Sequence, residues 1–180
     1  MINVFFTADP HYGHANILKY TNRDFKTVEE MDEALITNHN SVVGDNDYVY
    51  ILGDFSFYKG PDLKKKYFDR LTGRKILIKG NHDGKECLSL PWFQVHDVLH
   101  LRLKTIPGYH NDKREIFLSH YSHRSWNKSF HGVPHIFGHS HSKLPPYGKS
   151  FDVGVDCWEC KPISLDKVFE YASTLGQNSD

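Results

Sequence analysis

Five times in this chain an apolar, β-branched or aromatic run is followed at once by glycine, acid, amide or imidazole side chains. The run 2–7 leads into Asp9 and His11, 48–52 into Gly53 and Asp54, and 75–79 into Gly80, Asn81, His82 and Asp83. The run 116–119 leads into His120, and 135–137 into Gly138, His139, Ser140 and His141. Runs of that length and composition predict strands. In sheets with crossover connections the carboxyl ends of strands line one crevice, so residues far apart in sequence are expected to meet there. Asp9 and His11 are two positions apart, as are His139 and His141, and an extended backbone aims both members of such a pair the same way. Glycines before Asp54, Asn81 and His139 leave room for tight turns and close backbone approach.

The remaining pattern sets the frame around these stretches. A sixth strand is expected at 151–155, and two more at 94–99 and 101–106, with Pro107 and Gly108 marking a turn. Thr27 and Glu30 form a capping-box signature for a helix that places Met31, Leu35 and Val42 on one face and stops at Gly44. A second helix is predicted over 61–71, with Leu63, Tyr67, Phe68 and Leu71 inward and three lysines outward. A third follows Ser164 as N-cap, places Leu165, Val168, Phe169 and Ala172 on one side, and ends near Gly176. Helix and strand alternate early and strands dominate later, which predicts mixed sheets covered by helices. With no repeat and no linker, residues 1–180 read as one domain.

The chain holds thirteen histidines, and their placement among the five stretches favours metal binding over packed structural histidines. Mixed imidazole, carboxylate and amide donors suit manganese, iron, zinc, cobalt or nickel better than an all-oxygen calcium or magnesium cage. Lysine plus arginine equals aspartate plus glutamate at 22 each, so no global field draws the protein to nucleic acid or anionic lipid. No apolar stretch is long enough for a bilayer, and the first residues lack the basic segment of a signal peptide, so a soluble, cytoplasmic protein is expected. Cys157 and Cys160 have the spacing of half a zinc knuckle, but no second pair exists, and they read as plain thiols.

The motif series Asp9-x-His11, Gly53-Asp54, Gly80-Asn81-His82-Asp83, His120 and Gly138-His139-x-His141 resembles that of the calcineurin-like metallophosphoesterases, in the same order. The runs from Phe6 to His14 and from Tyr50 to Ser56 look like the small bacterial and phage members that lack a cap domain. The resemblance implies an α+β fold, a four-layer αββα sandwich of mixed sheets flanked by helices. It also implies two divalent transition-metal ions, one held by Asp9, His11 and His141 and the other by Asn81, His120 and His139, with Asp54 bridging both. Such a pair lies roughly 3.5 to 4 Å apart and binds a hydroxide between its members. His82 adjoins Asn81 without being a ligand in the family pattern, and is expected to donate to the phosphate or protonate the leaving oxygen, the alternative being a residue that only orients its neighbours.

The 121–134 segment lies between two ligand-bearing strands and carries His123, Arg124 and Trp126, which read as substrate contacts: a guanidinium fork for phosphate and an indole for base stacking. His14, with Asn16 and Arg23, forms a second candidate rim. Gly53-Asp54 runs into Phe55-Ser56-Phe57-Tyr58 and lacks the aspartate and arginine of the protein serine/threonine phosphatase branch. The Gly-Asn-His-Asp ending points instead to a small phosphodiester as substrate, a nucleotide among the candidates. A phosphomonoesterase and a non-catalytic metal-bound scaffold are the alternatives. Neither a membrane nor a stably held duplex nucleic acid is an expected partner, and the oligomeric state is left open.

Overall fold

The structure is a computed structural model, and it describes residues 2–176. The chain forms a mixed α/β fold with two mixed sheets. In the first, β1 (Val4–Thr7), β2 (Tyr48–Ile51), β3 (Arg74–Ile78) and β4 (Gln94–His96) run parallel, and β9 (Ile163–Ser164) pairs antiparallel with β1. In the second, β5 (Val98–Arg102) is antiparallel to β6 (Glu115–Ser119), which continues in parallel to β7 (His135–Phe137) and β8 (Ser150–Asp152).

Strand sequence explains the layering. β1 and β2 are apolar at every position but Thr7, because both faces of the first sheet are covered. Val4, Phe6, Tyr48, Tyr50, Ile76 and Ile78 share one apolar cluster with Leu101, Ile116, Leu118, Ile136 and Phe151 of the second sheet. Phe5, Val49, Ile51 and Leu77 point the other way, toward Met31, Leu35 and Ile36 of α2 (Val28–Val42) and toward Tyr67, Phe68 and Leu71. Leu165, Val168 and Ala172 of α5 (Leu165–Thr174) join the first cluster. The second sheet turns Phe117, His135 and Phe137 away from it. His123 and Trp126 cover that face, from a segment whose regular structure is the 3-10 turn Ser129–His131. Among the described residues no helix is long and apolar enough to cross a membrane.

Several boundaries differ from expectation. Val42 is 37% exposed, and Val43 takes the core position one residue later. The stretch 61–71 breaks at Tyr67 into α3 (Leu63–Lys66) and a 3-10 turn, Phe68–Arg70. The stretch 94–106 belongs to two sheets, changing from one to the other at Asp97, and Leu103–Thr105 is a 3-10 turn. The expected strand 151–155 leaves its ladder after Asp152, because Val155 N–H donates to Ala8 O and Gly154 bridges Ala8, crossing to the end of β1. The two short helices α1 (Ile17–Tyr20) and α4 (Lys85–Leu88), and β9, had no counterpart in the sequence pattern.

Candidate metal centre

The site is built on the carboxyl ends of β1, β2, β3, β6 and β7. Beyond β1 and β2 the chains continue side by side, with Asp9 N–H donating to Gly53 O and His11 N–H to Asp54 O, both at 3.1 Å. Gly53 adopts φ +89, and a Cβ there would lie 2.4 Å from His120 Nδ1, so this turn admits only glycine if His120 is to reach the centre.

Asp9, His11 and His141 bring one donor atom each to within 4.8 Å of one another, and Asp54, His120 and His139 form a second such group. The carboxylate of Asp54 faces both: Oδ2 is 3.5 Å from His11 Nε2 and Oδ1 is 3.6 Å from His120 Nε2. Asn81 Oδ1 sits 3.0 Å from His120 Nε2. His82 stands at the rim, its backbone N–H on Asp54 Oδ1 at 2.9 Å and its Nε2 4.0 Å from Asp54 Oδ2.

The pairs two residues apart are not aimed by extended backbone, as the spacing had implied. Asp9, His11, Asp54, His139 and His141 all have φ between +48 and +66, the left-handed region. The strands end before these residues, and the left-handed turns aim their side chains instead. Each such conformation costs a non-glycine residue on the order of 1 kcal/mol and persists only where surrounding contacts over-determine it; such residues cluster at functional sites. The fixing contacts are visible. Asp83, which had no assigned role in the sequence, is buried and accepts from Asp54 N, Phe55 N and Gly80 N at 2.9, 2.9 and 2.8 Å. Asp9 Oδ2 accepts from His139 N at 2.7 Å. Asp152 accepts from the Ser140 hydroxyl, Ser142 N and Gly154 N, holding the turn that carries His139 and His141.

The donor set fits divalent cations. Burial, then the neighbouring Asp152 and Asp54 carboxylates, hold the Asp9 carboxyl well above the usual range. Asp9 Oδ1 and both ring nitrogens of His11 are buried without a hydrogen-bond partner among the described residues. Burial pushes His11 down to about 2, so its imidazole is neutral and carries a free lone pair. His120 donates Nδ1–H to Leu52 O at 2.8 Å, which turns its Nε2 lone pair toward the oxygens of Asn81 and Asp54. His141 donates Nδ1–H to Asp156 Oδ2 at 2.7 Å, which leaves the Nε2 lone pair free. A histidine whose second nitrogen is fixed by a carboxylate or carbonyl is the usual arrangement of a metal-ligating imidazole. Burial opposes ionisation of Asp156, but hydrogen bonds from His141 and Arg23 prevail and hold it down to about 2.

The other expected contacts divide. His14 lies at the centre, its ring 5.5 Å from His11 and stacked at 3.9 Å on Phe57, which also faces His82 at 4.4 Å. Trp126 is buried, its indole N–H on Val133 O at 2.8 Å, and is therefore part of the packing of its own segment and not a stacking platform for substrate. His123 and Arg124 line a cavity of about 410 Å³ with Phe137, Leu144, Pro145 and Tyr147, and none of the seven expected ligands lines it. Burial raises the Cys157 thiol to about 12, and among the described residues neither Cys157 nor Cys160 belongs to a metal-ligand group. The sequence reading overlooked Asp156. It follows the sixth strand-like run, 151–155, just as the expected ligands follow the other five, so the same rule extended by one run finds it.

No protein-family model matches the chain. A crystal structure of a protein of unknown function, AQ665 from Aquifex aeolicus, superposes on 95% of this chain and all of that one with a TM-score of 0.69 at 22% identity, which shows a shared fold. The gene 66 protein of Mycobacterium phage L5 is 30% identical, covering 97% of this chain and 96% of its own length. The uncharacterized protein MJ1445 of Methanocaldococcus jannaschii is 34% identical over 178 residues, 93% of this chain and 90% of that one. Identity at this level along nearly the whole length of both chains makes this protein a member of the family that contains MJ1445 and the phage gene 66 protein.

Proposed function

We propose that the protein is a dinuclear metal-dependent phosphoester hydrolase of the calcineurin-like type, its two sheets and helices arranged as the αββα sandwich of that fold, and that its substrate is a small phosphodiester. The observation that carries this reading is Asp54, which belongs to one donor group with His120 and His139, its Oδ1 3.6 Å from His120 Nε2, while its Oδ2 lies 3.5 Å from His11 Nε2 of the other. Asp9, His11 and His141 would hold one cation, Asn81, His120 and His139 the other, and Asp54 both. A pair of such ions acidifies water and neutralises phosphoryl oxygens. The chain's own groups do the rest. Asp83 ties the Asp54 turn to the Gly80 turn and so fixes the Asp54 carboxylate relative to Asn81. His82 is 41% exposed beside Asp54 and backed by Phe57, which suits it to pass a proton to a departing ester oxygen. The balanced net charge leaves attraction of phosphate to the centre itself.

The test is hydrolysis of bis-p-nitrophenyl phosphate and of p-nitrophenyl phosphate by chelator-treated protein supplied with manganese. The diester is expected to be the better substrate. Asp54→Asn is expected to abolish turnover, and His82→Ala to lower kcat by roughly 100-fold. Turnover of neither ester rejects the enzyme and leaves a metal-bound scaffold. A strong preference for the monoester removes the diester assignment alone.

A further inference from the structure

We infer that Arg23 and Asp156 form a single positioning unit for one half of the centre, the half made by Asp9, His11 and His141, and that this unit sets cation affinity there and not in the other half. The inference rests on the dinuclear reading above.

Arg23 comes from the turn between α1 and α2, and Asp156 lies beyond β8, 133 positions away. Their side chains are 2% and 6% exposed and meet through two parallel bonds, Nε to Oδ1 at 2.8 Å and Nη2 to Oδ2 at 2.9 Å. Two further guanidinium contacts end on the segment that carries Asp9 and His11: Nη2–H donates to Asp9 O at 2.7 Å and Nη1–H to Pro10 O at 2.9 Å, while Nη1 also lies 3.4 Å from Met31 Sδ of α2. Asp156 Oδ2 in turn accepts the Nδ1–H of His141. One buried cation thus fixes the backbone that leads from the left-handed Asp9 to His11 and, through Asp156, the ring orientation of His141.

A purely structural role accounts poorly for this pair. A buried ion pair contributes little to stability, and well-packed apolar residues of similar volume often serve as well. Here, apart from the contact with Met31 Sδ, the polar contacts beyond the pair itself end on the donor segments of one half-site. The other half is fixed by different means: the Leu52 carbonyl for His120 and the Asp83 carboxylate for the Asp54 and Gly80 turns. Loss of Arg23 or Asp156 should therefore act on one side only.

The experiment is a manganese titration of the chelator-treated full chain, with free manganese read by electron paramagnetic resonance and folding by thermal unfolding of the metal-free protein. The unmodified protein should bind two equivalents. Asp156→Asn should weaken one of them roughly 10- to 100-fold and spare the other, and Asp156→Glu should recover part of the loss. Asn81→Ala should weaken the other equivalent. Because Asp156→Asn leaves a buried guanidinium short of its partner, the double variant Arg23→Gln/Asp156→Asn removes both charges and should show the same one-sided loss with a near-normal melting profile. Two equivalents of unchanged affinity in both variants, or equal weakening of both equivalents, overturns the positioning role. No manganese uptake by the unmodified protein overturns the dinuclear reading itself and this inference with it.

Discussion

Gly53 shows how tightly individual residues are constrained around the centre. It sits at φ +89 with His120 Nδ1 and the Gly80 backbone where a methyl group would go, the closest approaches being 2.4 and 2.7 Å. Gly53→Ala combines a left-handed penalty with overpacking against backbone and should cost about 3 kcal/mol, measured as a lower urea midpoint at unchanged slope. A midpoint within experimental error of the unmodified protein would show that the turn relaxes freely. At this scale residue identities were legible and conformations were not. The spacing of Asp9 with His11 and of His139 with His141 pointed to shared sites, yet the extended backbone inferred from it is replaced by left-handed turns. Spacing reports which side chains meet, whereas a left-handed turn outside glycine is imposed by tertiary contacts such as Asp83 and Asp152 that no local pattern encodes. Trp126 failed for a related reason: an aromatic residue in a loop reads the same whether it faces solvent or, as here, packs on His135.

Helix α2 shows how far a local pattern carries an element. Thr27 Oγ1 accepts from Glu30 N at 3.1 Å, as the capping signature predicts, but the Glu30 carboxylate accepts from Lys26 N, one residue before the cap. Thr27→Ala should therefore lower stability by about 1 kcal/mol, read by chemical denaturation, and Thr27→Asn should be close to neutral. A Thr27→Ala variant as stable as the parent would mean that the Glu30 contact alone caps the helix. Long periodic elements and their core faces were readable, since 3.6-residue spacing survives in α2 and α5. The four-residue helices α1 and α4 and the two-residue β9 were not, because none of them spans enough turns or alternations for a pattern to repeat. The break in 61–71 and the change of sheet at Asp97 were equally hidden: each divides a stretch that is uniform in composition while its packing partners change.

Across the whole molecule, two buried histidines outside the centre couple stability to acid. Burial holds His39 down to about 4 and His135 to about 3, against an ordinary value near 6.5. His39 donates Nε2–H to Thr72 O at 3.0 Å. Ser119 gives its proton to Tyr121 O, so His135 must donate Nε2–H to Ser119 and accept from Ser150, a neutral ring with both nitrogens satisfied. The unfolded chain takes up these protons first, so stability is full above about pH 6.5 and falls as pH drops toward the folded values. The loss is about 2 kcal/mol per histidine by pH 5. In chelator, His39→Gln should shrink the difference in unfolding free energy between pH 7.5 and pH 5 by that amount. An undiminished difference would exonerate His39.

The backbone crossing from β8 to the end of β1 also has a bearing on how the molecule can move. Because Val155 N–H reaches Ala8 O, and because His11 and His141, like Asn81 and His120, approach one another from different sheets, the seam between the sheets runs through the centre. On the proposed reading, a cation gripped from both banks would act as a rivet: parting the sheets would disperse its donors, and its grip would in turn resist their parting. Occupancy and closure of the seam would then be one equilibrium, and amide exchange along 153–155 would slow as the rivet is set.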